Sequence, residues 1–314
     1  MNRRQLGFSG PTVSRLCFGT LTVGPAQQNL DPALAADLFC RAYELGVNFF
    51  DTAELYETYH PLSLALKKRP DLVIASRSYA VTFSDMKRSL DMARRQLNRD
   101  YIDIFGIHEL ESAASLKGHQ GALECLYQAR ADGIIKAVEI STHTVAGVRA
   151  GATEPGIDVI HPLLNKAGIG IKDGTVVDMV EAIRMAKEFG KGIYAMKALA
   201  GGHLISEATA ALRFVMDLDC VDAVAVGIQS LNELKLNCLV FNGEPVPGDL
   251  FSAVGNTGRR LEIEPWCQGC GRCVERCGFQ ALMMENGRPR VIAEKCVRCG
   301  YCARVCPEFC LKVV

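Results

Sequence analysis

Nine of the chain's fourteen cysteines lie between Cys267 and Cys310, and eight of those nine repeat one spacing twice. The first run is Cys267-x2-Cys270-x2-Cys273-x3-Cys277. The second is Cys296-x2-Cys299-x2-Cys302-x3-Cys306, followed by Pro307. Three thiolates at such intervals wrap a short loop around one centre, and a fourth ligand has to arrive from elsewhere. The other five cysteines, Cys17, Cys40, Cys125, Cys220 and Cys238, are scattered, and surroundings such as Leu16-Cys17-Phe18 mark them as small packed hydrophobes. A secreted disulfide scaffold would not gather its cysteines in one tail behind a long ordinary globular region.

The double run has the spacing of bacterial two-cluster ferredoxins, in which the fourth cysteine of each run ligates the other run's cluster. That resemblance implies two [4Fe-4S] clusters. Cys267, Cys270, Cys273 and Cys306 would hold one, and Cys296, Cys299, Cys302 and Cys277 the other. Gly278 replaces the proline that usually follows the fourth cysteine, which changes a turn and removes no ligand. Small residues at Gly269, Gly271, Gly300 and Ala303 let backbone N–H groups approach sulfur, one lever on reduction potential. Paired zinc sites are the competing reading, because CxxC pairs also suit tetrahedral zinc; two matching four-cysteine runs weigh against them. Cys310 is expected to be a packed thiol. Trp266, the single tryptophan, directly precedes the first ligand and is expected to shield that cluster.

A chain of 314 residues suits one large domain and a small one. Lys and Arg number 35, as do Asp and Glu, so bulk charge gives no reason to expect nucleic acid or a membrane surface as partner. No stretch approaches the roughly 18 apolar residues of a spanning helix, and no apolar run follows the N-terminal Arg3-Arg4. The expected location is the cytoplasm.

Ahead of the cysteines, strand-like runs alternate with amphipathic helical ones. Strands are predicted at 14–18, 47–51, 72–76, 102–107, 136–141, 157–162, 192–196 and 222–226. Helices follow near 32–45, 61–68, 84–98, 120–131, 143–150, 175–189, 205–217 and 230–240. Eight strand–helix units in about 240 residues fit a (β/α)8 barrel. A doubly wound sheet would carry a glycine-rich fingerprint after its first strand, and Gly19-Thr20-Leu21-Thr22-Val23-Gly24 is not one. The expected organisation is an α/β chain with a barrel over 1–241, a linker over 242–264 rich in proline and glycine, and a two-cluster module over 265–314. Barrel chemistry sits at the C-terminal ends of strands, which singles out Asp51, Arg77, His108, Ser141, His161 and Lys197.

Several stretches resemble one family. Arg4-x-Leu6-Gly7 to Phe18-Gly19-Thr20, Gly46-Val47-Asn48-Phe49-Phe50-Asp51-Thr52-Ala53-x-x-Tyr56, Asp100-Tyr101-Ile102-Asp103-Ile104 leading to His108, and Gly133-Ile134-Ile135-Lys136 to Ser141 look like the aldo/keto reductases. The whole chain resembles the subgroup that ends in a ferredoxin-like module. The resemblance implies hydride transfer between a nicotinamide, NAD(P)H, and the carbonyl of a small-molecule substrate. Tyr56 would donate the proton, His108 would orient the carbonyl, and Asp51 would pair with a cation that depresses the tyrosine pKa. Arg77 stands where the family has lysine, and its fork cannot lose its proton. Lys197 is a substitute cation. Among nicotinamide contacts the resemblance implies Ser141, Asn165, Met196 and Lys197, with Gly227 and Asn237 at the dinucleotide turn and adenine. His161 replaces a usual glutamine and Met196 a stacking tyrosine. No Arg or Lys lies between Ser230 and Glu233 to read an extra ribose phosphate.

A nicotinamide moves two electrons at once, whereas each cluster moves one. Three arrangements reconcile them: a flavin in the barrel mouth, stepwise reduction of a substrate by the clusters, or a module serving as structure or as a docking surface for an electron-transfer protein. The expectation is an iron–sulfur oxidoreductase. The alternative is a non-catalytic electron-transfer subunit on a degenerate barrel.

Overall fold

The computed structural model describes residues 1–255, 260–296, 298 and 300–314; Cys299, a predicted cluster ligand, lies outside the described residues. A hairpin of β1 (Arg3–Gln5) and β2 (Thr12–Ser14) comes first. Eight parallel strands then close into a barrel: β3 (Leu16–Gly19), β4 (Phe49–Asp51), β5 (Val73–Ser78), β6 (Ile102–Ile107), β7 (Ile135–Thr142), β8 (Val159–Pro162), β9 (Gly192–Ala195) and β10 (Ala223–Gly227). β10 pairs with β3 to complete the ring. The predicted barrel and its eight strands are therefore present, with ends shifted by one or two residues.

The sequence makes these strands because β-branched and aromatic residues fill them and both faces are covered. Inward positions alternate with outward ones. Cys17, Phe49, Val73, Ala75, Ile104, Ala137, Val159, Tyr194 and Ala223 form the barrel interior together with Leu6 and Val13 of the hairpin, which plugs its N-terminal end. A Cβ on Gly192 would lie 2.8 Å from that of Leu6 and 2.9 Å from Gly7 N, so glycine is what lets the plug seat.

The outer layer is α1 (Pro32–Glu44), α2 (Tyr59–Lys68), α3 (Phe83–Leu97), α4 (Ala113–Gly118), α5 (Gln120–Ala131), α6 (Val145–Thr153), α7 (Val176–Glu188), α8 (Ala208–Met216) and α9 (Leu231–Asn242). Starts are fixed by caps. Asp31 accepts from Ala33 N at 2.8 Å ahead of Pro32, and Thr175 and Asp178 form a reciprocal capping box. α3 is capped by Thr82, whose side chain accepts from Asp85 N. None of the described helices is long and apolar enough to cross a membrane.

The stretch expected as a linker is more ordered than its glycine and proline content implied. It carries α10 (Gly248–Gly255) and β11 (Leu261–Ile263), and β11 pairs antiparallel with the C-terminal β14 (Leu311–Val313). Between them lie α11 (Arg272–Arg276), the hairpin β12 (Leu282–Glu285) and β13 (Arg288–Val291), and α12 (Tyr301–Arg304). The cluster module thus begins structurally at Leu261, because its outer strand comes from the supposed linker.

The module sits on the C-terminal mouth of the barrel. Phe309, Leu311, Val313, Leu261 and Leu282 share one apolar core with Ile169, Ala200, Leu204 and Ala211 of the barrel. Gly202 has φ 91°, and a Cβ there would meet Val313 O at 2.1 Å, so only glycine permits this close approach.

Candidate active site

Strand alternation brings Asp51 (β4), Arg77 (β5) and Glu139 (β7) to the inside of the barrel near its mouth. All three are buried, and Arg77 is 1% exposed, the largest fully buried side chain. Its guanidinium pairs with Asp51, donates from Nε to Glu139 Oε1 at 2.8 Å, and donates to the Tyr194 hydroxyl at 2.7 Å. Tyr194 in turn donates to Glu139 and lies 3.1 Å from Asp51 Oδ1. The space for this comes from Gly106 on β6, whose register places it between Arg77 and Glu139. A Cβ there would lie 2.0 Å from Glu139 O.

Burial alone would lower the Arg77 pKa, but Asp51 and Glu139 hold it far up, so the cation is permanent. Burial raises Glu139 against the pull of Arg77. His161 stacks on Tyr194 at 3.9 Å, and its Nδ1 lies 2.6 Å from the Tyr194 carbonyl. Burial lowers its pKa to about 3, leaving a neutral ring whose Nδ1–H donates and whose Nε2 is 3.7 Å from Asp51.

Tyr56, on the turn after β4, is partly exposed, and its ring meets His108 edge-on at 5.9 Å. Burial pushes its phenol up, and Arg77 opposes this by charge and by a hydrogen bond. The hydroxyl therefore keeps its proton through the neutral range and can donate it. His108 is buried and driven well below its usual pKa, chiefly by desolvation. Among the described residues its Nδ1 has no hydrogen-bond partner, and its ring stacks on Tyr79 at 4.3 Å.

A cleft of about 680 Å³ opens here. Asp51, Tyr56, His161, Met196, Lys197, Gly227 and Asn237 line it, and its far wall includes Arg298, Tyr301 and Arg304 of the cluster module. Two expected nicotinamide contacts are elsewhere. Asn165 spends its amide on Ile169 O at 2.9 Å and its carbonyl on the N–H groups of Ala167 and Ile169, holding a loop. Ser141 Oγ accepts from Glu109 N at 2.9 Å. Both are fully buried, and neither is among the residues lining the cleft.

In the module the two cysteine runs, offset by 29 positions in sequence, each lead into a short helix. Gly271 and Gly300 start α11 and α12 with φ of 78° and 77°. Cys277 Sγ accepts from Ala281 N at 3.3 Å, and Cys306 Sγ from Cys310 N at 3.2 Å. Cys273 and Cys310 each lie within electrostatic reach of Cys267 and Cys306. Cys277, Cys296 and Cys302 line a separate small pocket. Among the described cysteines, Cys267, Cys273 and Cys306 thus lie near one another, and Cys277, Cys296 and Cys302 share the small pocket. That arrangement and its N–H···S donors fit two cuboidal iron–sulfur clusters. Cys310 is buried as expected. Trp266, expected to shield the first cluster, is 47% exposed, and its Nε1 donates to Glu308 O at 3.3 Å.

Residues 15–210 match the model of the aldo/keto reductase family. The chain belongs to that family. Residues 261–307 match a 4Fe-4S dicluster domain, so this reductase-type oxidoreductase carries a ferredoxin-like iron–sulfur module. The chain is 25% identical to L-galactose dehydrogenase of Arabidopsis thaliana over 224 residues, covering 65% of this chain and 67% of that one. Its tail is 50% identical to a ferredoxin of Pyrobaculum islandicum over 42 residues, 13% of this chain and 39% of the other. The fold superposes on an aldo-keto reductase of Bacillus halodurans in its holo form with TM-score 0.68 and 21% identity, covering 81% and 95% of the two chains.

Sequence reasoning missed Glu139 and Tyr194 in this aldo/keto reductase. The signal was there for Glu139, a charge at an inward register position between Ala137 and Ser141. Tyr194 gave none, since an aromatic in a buried strand reads as core.

Proposed function

We propose that the protein interconverts a carbonyl and an alcohol on a small molecule, with Tyr56 as proton donor, and passes the electrons through its cluster module. The observation that carries this reading is the single cleft walled by Tyr56, His161 and Met196 on the barrel side and by Arg298 and Tyr301 on the module side. A nicotinamide bound there would move a hydride, two electrons at once, and two clusters bound in the module would take or give one electron each, so that the pair together matches one hydride equivalent. The ligands are Cys267, Cys270, Cys273 and Cys306 for one cluster, and Cys296, Cys299, Cys302 and Cys277 for the other.

Tyr56 keeps its phenol proton at neutral pH and releases it to the oxygen that gains charge as the carbonyl is reduced. Neutral His108 orients that oxygen by hydrogen bonding. Arg77 stabilises the tyrosinate left behind, and Asp51 with Glu139 keeps the guanidinium in place. Met196, Gly227 and Asn237 line the path of an extended dinucleotide, NAD(P)H. A flavin in the same mouth is the competing carrier. The working units are a barrel over residues 1–241 and a module from Leu261 to Val314, whose exposed face would meet an electron-transfer protein. Five buried free thiols in the barrel suit the reducing cytoplasm.

Anaerobic titration with NADH and NADPH tests the reading. Bleaching of the cluster absorption by either nucleotide in the wild type supports it. Absence of any nucleotide binding sinks the nicotinamide assignment, and flavin recovered in the same preparation would then replace it.

A further inference from the structure

A second polar constellation lies at the barrel mouth, on the side away from Gly227 and Asn237. Lys197 follows β9 with φ 60°, and Glu109 follows β6 with φ 55°. Left-handed backbone at non-glycine residues is strained and persists where surrounding structure demands it. His143, after β7, joins the two. Its Nε2 is 2.9 Å from Lys197 Nζ, and its Nδ1 is 3.5 Å from Glu109 Oε1. Burial holds His143 well below its usual pKa, so the ring is neutral, with Nε2 accepting from the lysine and Nδ1–H turned toward the carboxylate. Glu109 also hydrogen-bonds Tyr79, the ring stacked on His108.

Lys197 lines the cleft. Among the described residues no carboxylate lies within ion-pairing distance of its Nζ; Glu109 and Glu264 act on it from further away, and Lys172 opposes them. Its near neighbours are the neutral His143 and the face of the Phe309 ring, 4.8 Å from Nζ. Buried Lys312 packs on the same ring, and burial holds its ammonium well below the usual lysine pKa. A cation this poorly neutralised in a partly buried cleft calls for an anionic ligand. Lys197 Nζ meets His143 at the end of β7 and acts by charge on His108 after β6.

We infer that Lys197, oriented by His143 and Glu109, binds the carboxylate of the substrate, which makes the substrate class a small oxo or hydroxy acid. The inference rests on the carbonyl–alcohol reading of the cleft. Phosphate of a dinucleotide shares the relevant chemistry, and the experiment separates the two.

The test is calorimetric titration of the cluster-loaded protein, anaerobically, with oxamate, its uncharged relative oxamide, and ADP-ribose. Oxamate should bind at least about tenfold more tightly than oxamide. Lys197→Met should weaken oxamate by a similar factor while leaving ADP-ribose unchanged, and Lys197→Arg should restore most of the loss. Equal binding of oxamate and oxamide, no oxamate binding, or oxamate affinity unmoved in Lys197→Met would each overturn the inference. Loss of ADP-ribose rather than oxamate in that variant would assign the lysine to phosphate and overturn it too. If ADP-ribose fails to bind the wild type while oxamate still depends on Lys197, the nicotinamide reading falls and the carboxylate site stands.

Discussion

Glu139 Oε1 accepts from Arg77 Nε at 2.8 Å, through a different nitrogen from the one that meets Asp51. One guanidinium is thereby held between two carboxylates in the barrel interior. A lysine ammonium is a point charge and could not span both with the same fixed geometry, whereas the arginine fork can. Replacement of the family's lysine by arginine is thus coupled to a second acid on β7 and to the vacancy of side-chain space at Gly106.

Removing the cation should be severe. Arg77→Met leaves Asp51 and Glu139 buried without their partner, a loss of about 3–5 kcal/mol. Glu139→Gln keeps an acceptor for Arg77 Nε and should cost about 1–2 kcal/mol. Urea midpoints at constant m-value check both. A small effect of Arg77→Met would mean that the two acids are neutral or solvated.

Gly106→Ala should destabilise by about 1–3 kcal/mol, because the added methyl meets the Glu139 backbone and must push β6 and β7 apart. Unfolding at the same midpoint as the wild type would show that the gap is slack. Combining it with Glu139→Ala, which also leaves Arg77 short of a partner, should give a non-additive loss.

Tyr56→Phe should lower turnover about 10²–10⁴-fold while leaving chemical reduction of the clusters by dithionite unchanged. Stopped-flow absorbance separates the two steps. Unchanged turnover would remove Tyr56 from the reaction.

Crossed ligation predicts which cysteine variants resemble one another. Cys306→Ser should alter the same cluster as Cys273→Ser, and Cys277→Ser the same cluster as Cys302→Ser. Electron paramagnetic resonance of the reduced proteins distinguishes this from a local pattern, in which Cys306→Ser would instead match Cys302→Ser.

Burial lowers the Lys197 pKa to about 8. The group is depressed relative to its unfolded value, so the charged form that binds an anion is present below that pH and is lost above it. Oxamate affinity should be flat to about pH 8 and then fall about tenfold per unit. The nearby His143, Glu109, Glu264, Lys172 and Lys312 make the step broader than for an isolated lysine. Affinity unchanged to pH 10 would place the charge elsewhere.

Much of this was legible in sequence because it is local. The alternation of apolar runs announced the barrel, and Asp51, Tyr56 and His108 sit in short stretches whose family resemblance is readable residue by residue. The cysteine spacing announced the module in the same way. The linker was misread since glycine and proline composition does not reveal that Leu261–Ile263 finds a strand partner at Leu311–Val313. The family resemblance implied Asn165 as a nicotinamide contact, but its loop uses both ends of the amide.

What the sequence determined alone were patterns with fixed offsets: period two in strands, helix caps, and thiolates three or four apart. Tertiary structure decided the rest, because barrel closure brings together residues that no local rule connects. Arg77 and Glu139 are 62 positions apart, and His143 and Lys197 are 54 apart. Docking of the module onto the mouth likewise turned an open barrel end into a cleft with two walls. The energy of that docking comes from an apolar core that neither half contains by itself.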